Sequence, residues 1–166
     1  MILGMSTSAF TLIHVLLCLA AIGTGFIVIF GLLAGKRLDG WTVIFIVTSM
    51  SASVTGFLFP FEQLLASHVL GLLSLFVLVV AIWARYWFQL AGAWRWVYVV
   101  GAALALYLNV FVAIVQAFRK IPVLTGMAPT QTEPPFVIAQ ILNLGIFVVL
   151  TIRAGKRFRV DERRTA

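Results

Sequence analysis

The sequence predicts an all-α membrane protein: one integral domain, built as a bundle of five transmembrane helices. Three observations carry that expectation. Apolar residues make up 63% of the 166-residue chain and charged residues 10%, against about 45–50% and about 25% in an ordinary soluble domain. The apolar residues gather in five runs, each near the roughly 20 residues that cross a hydrocarbon core of about 30 Å. Basic and tryptophan residues gather at the ends of those runs. A water-soluble fold of this size has no interior large enough for so much hydrocarbon, so lipid must be the solvent.

The first run covers 8–33. No Lys or Arg precedes Lys36, so a basic leader region is missing, and the run is too long for the apolar part of a cleaved signal peptide. It is therefore expected to remain as a span. "GKRLDG" (35–40) then reverses the chain, with Asp39 expected to form a solvated local pair beside Lys36 and Arg37. The second run, 41–60, is unusually small and polar toward its far end, with Ser49, Ser51, Ser53, Thr55 and Gly56. The third, 64–87, leads into "RYWFQLAGAWRW" (85–96), expected to lie flat along the membrane interface. The fourth is 95–117. A long connection follows (118–135) with Pro122, Pro129, Pro134 and Pro135, and both an ordered lid and a loose tether fit it. Thr132 or Glu133 can cap the fifth run, 136–154, because proline suits the first helical positions, where its missing N–H costs nothing. The basic tail is 155–166.

In lipid a backbone must satisfy its own hydrogen bonds, so the runs are helices. None shows the alternating pattern of a barrel strand. Orientation follows from the basic residues. With the N-terminus outside, Lys36, Arg37, Arg85, Arg95, Arg153, Lys156, Arg157, Arg159, Arg163 and Arg164 face the cytoplasm, and only Arg119 and Lys120 face outward. Ten against two is a strong bias. Trp41, Trp83, Trp87, Trp94 and Trp96 fall at the same inner level, where amphipathic rings prefer to sit. In a soluble protein a net charge of +7 would suggest nucleic acid; here it indicates orientation and anionic headgroups held at the tail. Lipid is thus the expected partner, with a second copy or a membrane-complex subunit as a further one, and nucleic acid is not expected.

Small residues four apart mark close helix approach: Ala21 with Gly25, Gly31 with Gly35, and Ser67 with Gly71. The polar side chains within the spans are more specific. Counting about 1.5 Å per residue, His14 lies about 9 Å and His68 about 6 Å below the outer ends of their helices. Asn109 lies about 12 Å down and Gln116 near the rim, while Gln140 and Asn143 come at about 6 and 10 Å on the same rise. Glu62 sits in the outer turn above His68. Thr7, Thr11, His14 and Cys18 form one stripe; Asn109 and Gln116 share a face, as do Gln140 and Asn143. The sequence thus predicts a polar layer in the outer leaflet over a nearly all-hydrocarbon inner half.

Three readings of that layer stand. The groups can bond one another as interhelical glue, which makes the chain a structural or accessory protein. They can hold a cofactor: two histidines on different helices at one depth suit a haem b iron with two imidazole ligands, with Asn or Gln as supporting partners, or a quinone flanked by Phe57, Phe59 and Phe61. They can carry protons through His14, His68 and Glu62, or pass a small solute, although the missing polar groups of the inner half weaken a continuous path. Enzyme signatures are absent: there is no HExxH, GxSxG, phosphate loop or CxxC. Cys18 is the single cysteine, so no disulfide forms within the chain.

The runs "KRLDGWT", "TSMSASVTGFLFPFE", "SHVLG", "AGAWRWVYV", "YLNVFVAIVQAF" and "APTQTEPPF" together resemble an uncharacterised group of small bacterial polytopic inner-membrane proteins. The resemblance covers nearly the whole chain. It implies a bacterial inner membrane and a bundle of several helices, and it implies no activity and no catalytic residue.

Overall fold

The computed structural model of the chain describes residues 4–59 and 66–159. It is all-helical: α1 (Thr7–Leu33), α2 (Asp39–Phe57), α3 (Ala66–Ile82), a π-helical turn (Trp83–Trp87), α4 (Trp94–Lys120), a short α5 (Pro122–Met127) and α6 (Pro134–Arg157). Five of these segments are long and apolar enough to cross a membrane: α1, α2, α3 with its π turn, α4 and α6. The observed boundaries differ from the expected runs mainly at the ends. Asp39 and Gly40 already belong to α2, and α6 runs on to Arg157, so the basic tail begins three residues later than its charge suggested.

Local chemistry sets the ends. Ser6 caps α1 by accepting from the Ala9 N–H at 3.3 Å. At its other end Gly35 takes φ +70°, and the Lys36 and Gly35 N–H groups bond back to Gly31 O and Leu32 O at 2.8 and 3.0 Å. This is the Schellman arrangement, which needs a left-handed residue and so favours glycine. Gly31 has no side chain in the way, and Leu38 folds back to within 2.5 Å of where its Cβ would stand. Gly31 and Gly35 therefore shape the reversal into α2, and Gly35 also lies beside the end of α6, where an added Cβ would stand 3.6 Å from Arg157 O.

Packing follows the chain. α1 lies against α2, α2 against α3, α3 against α4, and α4 closes back on α1, while α6 lies against both α1 and α4. The first four spans form a ring, and α6 covers one of its seams. At Gly25 the ring closes tightly, because an added Cβ would meet Leu106 at 2.6 Å and Phe45 at 2.8 Å. Ala21, one turn away, is fully buried. The ring interior between its ends is mostly hydrocarbon, with Ile29, Phe45, Leu78 and Leu106 all at 1% exposure or less, and the polar residues Thr24, Ser49 and Ser74 are buried there. The outer faces are apolar too. On α6 the buried residues are Asn143, Phe147, Ala154 and Gly155, while Ile138, Ile141, Leu142 and Ile146 stand exposed. A continuous apolar rim of this kind suits lipid and not water.

Candidate functional sites at the two ends of the bundle

Polar side chains collect at both ends. The end holding the α1–α2 turn and the α3–α4 turn is called the basic end here; the opposite one is the histidine end.

At the histidine end, α1 places His14 against α2. Its Nδ1 lies 2.8 Å from Thr55 Oγ1, and its Nε2 lies 3.6 Å from Cys18 Sγ, one turn further along α1. The Thr55 hydroxyl donates to the backbone oxygens of Ser51 and Ala52 at 2.7 and 3.1 Å. With that proton spent, Thr55 Oγ1 accepts from His14 Nδ1–H, and Nε2 is left as the acceptor facing the Cys18 thiol. This assigns the tautomer from the network. Phe59 meets the imidazole edge-on with centroids 5.2 Å apart.

His68 is buried on α3, 7% exposed, and its ring lies 5.7 Å from that of Phe57. Residues 55 and 57 differ by two positions, which on a helix turns the side chain about 200°. The two imidazoles thus meet opposite flanks of the end of α2.

The carboxamides form separate ties. Asn109 Nδ2 donates to Ser49 Oγ at 3.2 Å, joining α4 to α2 across the ring, and also to Ala105 O at 3.1 Å. Gln140 Nε2 donates to Phe111 O at 3.3 Å, joining α6 to α4. Asn143 is buried beside that seam, and its Nδ2 and the Gln140 Oε1 have no protein partner among the described residues. Gln116 is exposed and stands apart from the others. Glu62, together with Gln63 and Phe61, lies outside the described residues. The predicted polar layer is thus distributed over the α1–α2, α2–α4 and α4–α6 seams. Among the described residues, no three His, Cys, Asp or Glu side chains come together in a way that could hold a metal ion.

The 118–135 connection is folded against α4. Thr125 Oγ1 donates to Phe118 O at 2.8 Å and Gln131 Nε2 to Val115 O at 2.9 Å. Ala128 is fully buried. Glu133 precedes Pro134 as the N-cap residue without a side-chain cap. Its carboxylate takes the Thr130 N–H, the Thr130 hydroxyl and the Thr132 N–H instead, at 3.1, 2.9 and 3.0 Å. Desolvation pushes this carboxyl up, and the hydrogen bonds together outweigh it, so Glu133 titrates below the usual glutamate range.

The basic end departs most from expectation. Arg85 is completely buried and does not lie along the interface. Its Nη2 donates to Asp39 Oδ1, and the same oxygen takes Arg37 Nε at 2.8 Å. The guanidinium carbon stands 4.9 Å from the centre of the Tyr98 ring and 5.7 Å from that of Tyr86. Tyr98 in turn shares a hydrogen bond with Thr42 at 3.2 Å. Asp39 is therefore both the exposed local partner of Arg37, as expected, and the link between α2 and the end of α3, which was not expected. Nor is the half of the ring nearest this end purely hydrocarbon, since Arg85, Tyr98 and Thr42 are buried in it.

The π turn that carries Arg85 is marked by the Phe88 N–H bonding Trp83 O and the Leu90 N–H bonding Ala84 O, both at 3.0 Å. Beside it Arg95 Nη1 donates to Gly155 O at 3.1 Å and to Phe158 O. That pins the end of α6, and Phe158 packs near Tyr98 with ring centroids 6.3 Å apart. A signal for the buried arginine was present in the sequence: Ser74, Leu78, Ala81 and Arg85 recur at spacings of four, three and four, the period of one helix face.

No family model matches the chain, and neither curated proteins nor solved structures show a match to it.

Proposed function

We propose that this chain is a small polytopic protein of a bacterial inner membrane, structural or accessory in type, whose polar groups at the histidine end bind its helices to one another. One observation carries the reading: both ring nitrogens of His14 have protein partners, Thr55 and Cys18. Asn109 and Gln140 support it, since each donates to a neighbouring helix. The alternative, a haem b or quinone held between His14 and His68, is disfavoured because both His14 ring nitrogens are already engaged and because Thr55 and Phe57, which the two rings meet, point about 200° apart around α2. Translocation of protons or a small solute is disfavoured by the closed apolar interior around Phe45 and Leu106. The positive-inside bias orients the chain with its N-terminus outside and its basic end in the cytoplasm. Anionic headgroups at the tail and a second copy or membrane-complex subunit are its proposed partners.

Absorption spectroscopy and unfolding of protein purified from haem-replete cells test this. The expected result is no Soret band. His14→Ala and Thr55→Val should each lower stability by about 0.6 kcal/mol and at most about 1.7 kcal/mol, the measured range for interhelical hydrogen bonds in a membrane, with no change in any bound species. A Soret band that disappears in both His14→Ala and His68→Ala would replace the tie with a haem site.

A further inference from the structure

At the basic end α2 and α3 leave between them an apolar groove of about 250 Å³, lined by Val43, Ile46, Val47, Ile82 and Tyr86. It opens on the lipid-facing side, where Val43, Val47 and Tyr86 are 48%, 56% and 44% exposed. That volume is below the roughly 300–1,000 Å³ of a pocket that takes a whole drug-sized ligand, and it suits a segment of one hydrocarbon chain. Its position relative to charge is the informative part. Val43 stands one turn after Asp39 and Ile82 one turn before Arg85, so the groove ends against the Arg85–Asp39 pair. Trp41, Trp83 and Trp87, all exposed, set the headgroup level there.

That pair is short of negative charge. Asp39 answers both Arg37 and Arg85 through a single oxygen, and its side chain is 64% exposed. Arg85 Nε and Nη1 have no acceptor among the described residues. Lys36, exposed in the same turn, adds a third cation. Three positive charges against one carboxylate leave a positive field at the mouth of an apolar groove, and a buried guanidinium compensated this weakly is costly.

We propose that this groove binds an anionic glycerophospholipid, with one acyl chain against Val43, Val47 and Ile82 and the phosphate against Arg37 and Lys36. Arg85 acts through its field, because its own nitrogens are enclosed. The groove itself is built from α2 and α3 and not from the basic tail, although the turn that carries Lys36 comes close to Arg157, whose O lies 3.6 Å from where a Gly35 Cβ would stand; the proposal does not rest on the function proposed above. It also holds whichever way the protein is oriented, since it needs only headgroups at the basic end.

Native mass spectrometry of the full chain in detergent, titrated with dioleoyl-phosphatidylglycerol and dioleoyl-phosphatidylcholine, tests it. The expected result is a discrete first phosphatidylglycerol site, filled at lower lipid concentration than the phosphatidylcholine equivalent. Each Lys or Arg near a lipid surface contributes about a fivefold factor, so Lys36→Gln/Arg37→Gln should weaken that site on the order of 30-fold. Val47→Trp, which fills the groove from its exposed rim, should weaken both lipids; should that variant fail to fold, Val43→Leu/Val47→Leu serves in its place. Glycerol phosphate should not compete, since it carries the charge without the chain. Equal binding of the two lipids would overturn the proposal. So would phosphatidylglycerol binding that survives the double loop variant, or that falls as far in Arg157→Gln/Arg159→Gln as in the loop variant.

Discussion

Replacing Asp39 by alanine takes from Arg85 the one carboxylate the structure gives it among the described residues. The guanidinium cannot move to water, since it is fully enclosed and held over Tyr98 at 4.9 Å. Removing one partner of a buried ion pair costs about 3–5 kcal/mol, because the charge left behind is uncompensated. Here the carboxylate is 64% exposed, so part of the attraction is already screened and the lower limit, about 3 kcal/mol, is expected. Asp39→Asn keeps an acceptor and loses the charge, which should cost about 1.5–3 kcal/mol, the worth of a hydrogen bond to a charged group. Arg85→Met removes the buried charge as well, and in the Asp39→Ala background it should restore much of the loss. Denaturation in mixed micelles, followed by the fluorescence of Trp83 and Trp87 beside Arg85, measures all four members of this cycle. An Asp39→Ala cost within the range of about 0–1 kcal/mol typical of exposed pairs, with no coupling to Arg85→Met, would show that the arginine is not buried against this carboxylate.

Other outcomes follow from single positions. Gly25→Ala forces a methyl against Leu106 and Phe45 and should destabilise by about 1–3 kcal/mol; Gly23→Ala, with open space around it, should be neutral or stabilising by about 0.5–1 kcal/mol, and equal effects would refute the three-helix contact. Glu133 has a folded pKa below its unfolded one, so its contribution is present above the unfolded value and is lost as pH falls through the folded one. Glu133→Gln should flatten acid-induced opening of the 118–135 connection, measured by hydrogen exchange, and an unchanged acid profile would refute the role of its three donors. A cytoplasm-dependent fluorescent reporter fused after Ala166 should be active, and an alkaline phosphatase fusion at the same place inactive; the reverse pattern would refute the proposed orientation.

Much of the architecture was written along the chain. A span is a matter of length and hydropathy, and the backbone in lipid has no alternative to the helix, so the five apolar segments could be recognised without knowing what they touch. Local chemistry was legible for the same reason: Gly35 ends α1, and Glu133 with Pro134 starts α6, through bonds to residues a few positions away. Depth was legible too, because it is linear in residue number, and it put His14, Asn109 and Gln140 toward one end. Their partners were not. Rotation about a helix axis is decided by the neighbours, so Thr55, Ser49 and Phe111 O became partners only when α2 and α4 packed, and His14 and His68, expected at one depth, met different residues of α2, Thr55 and Phe57. The same holds at the basic end. Arg85 and Asp39 are 46 residues apart, and the sequence showed each only as an interfacial charge beside near neighbours of its own. Burial is a property of the whole ring: Tyr98 from α4 and Asp39 from α2 must both arrive before an arginine at a helix end is shut away from water.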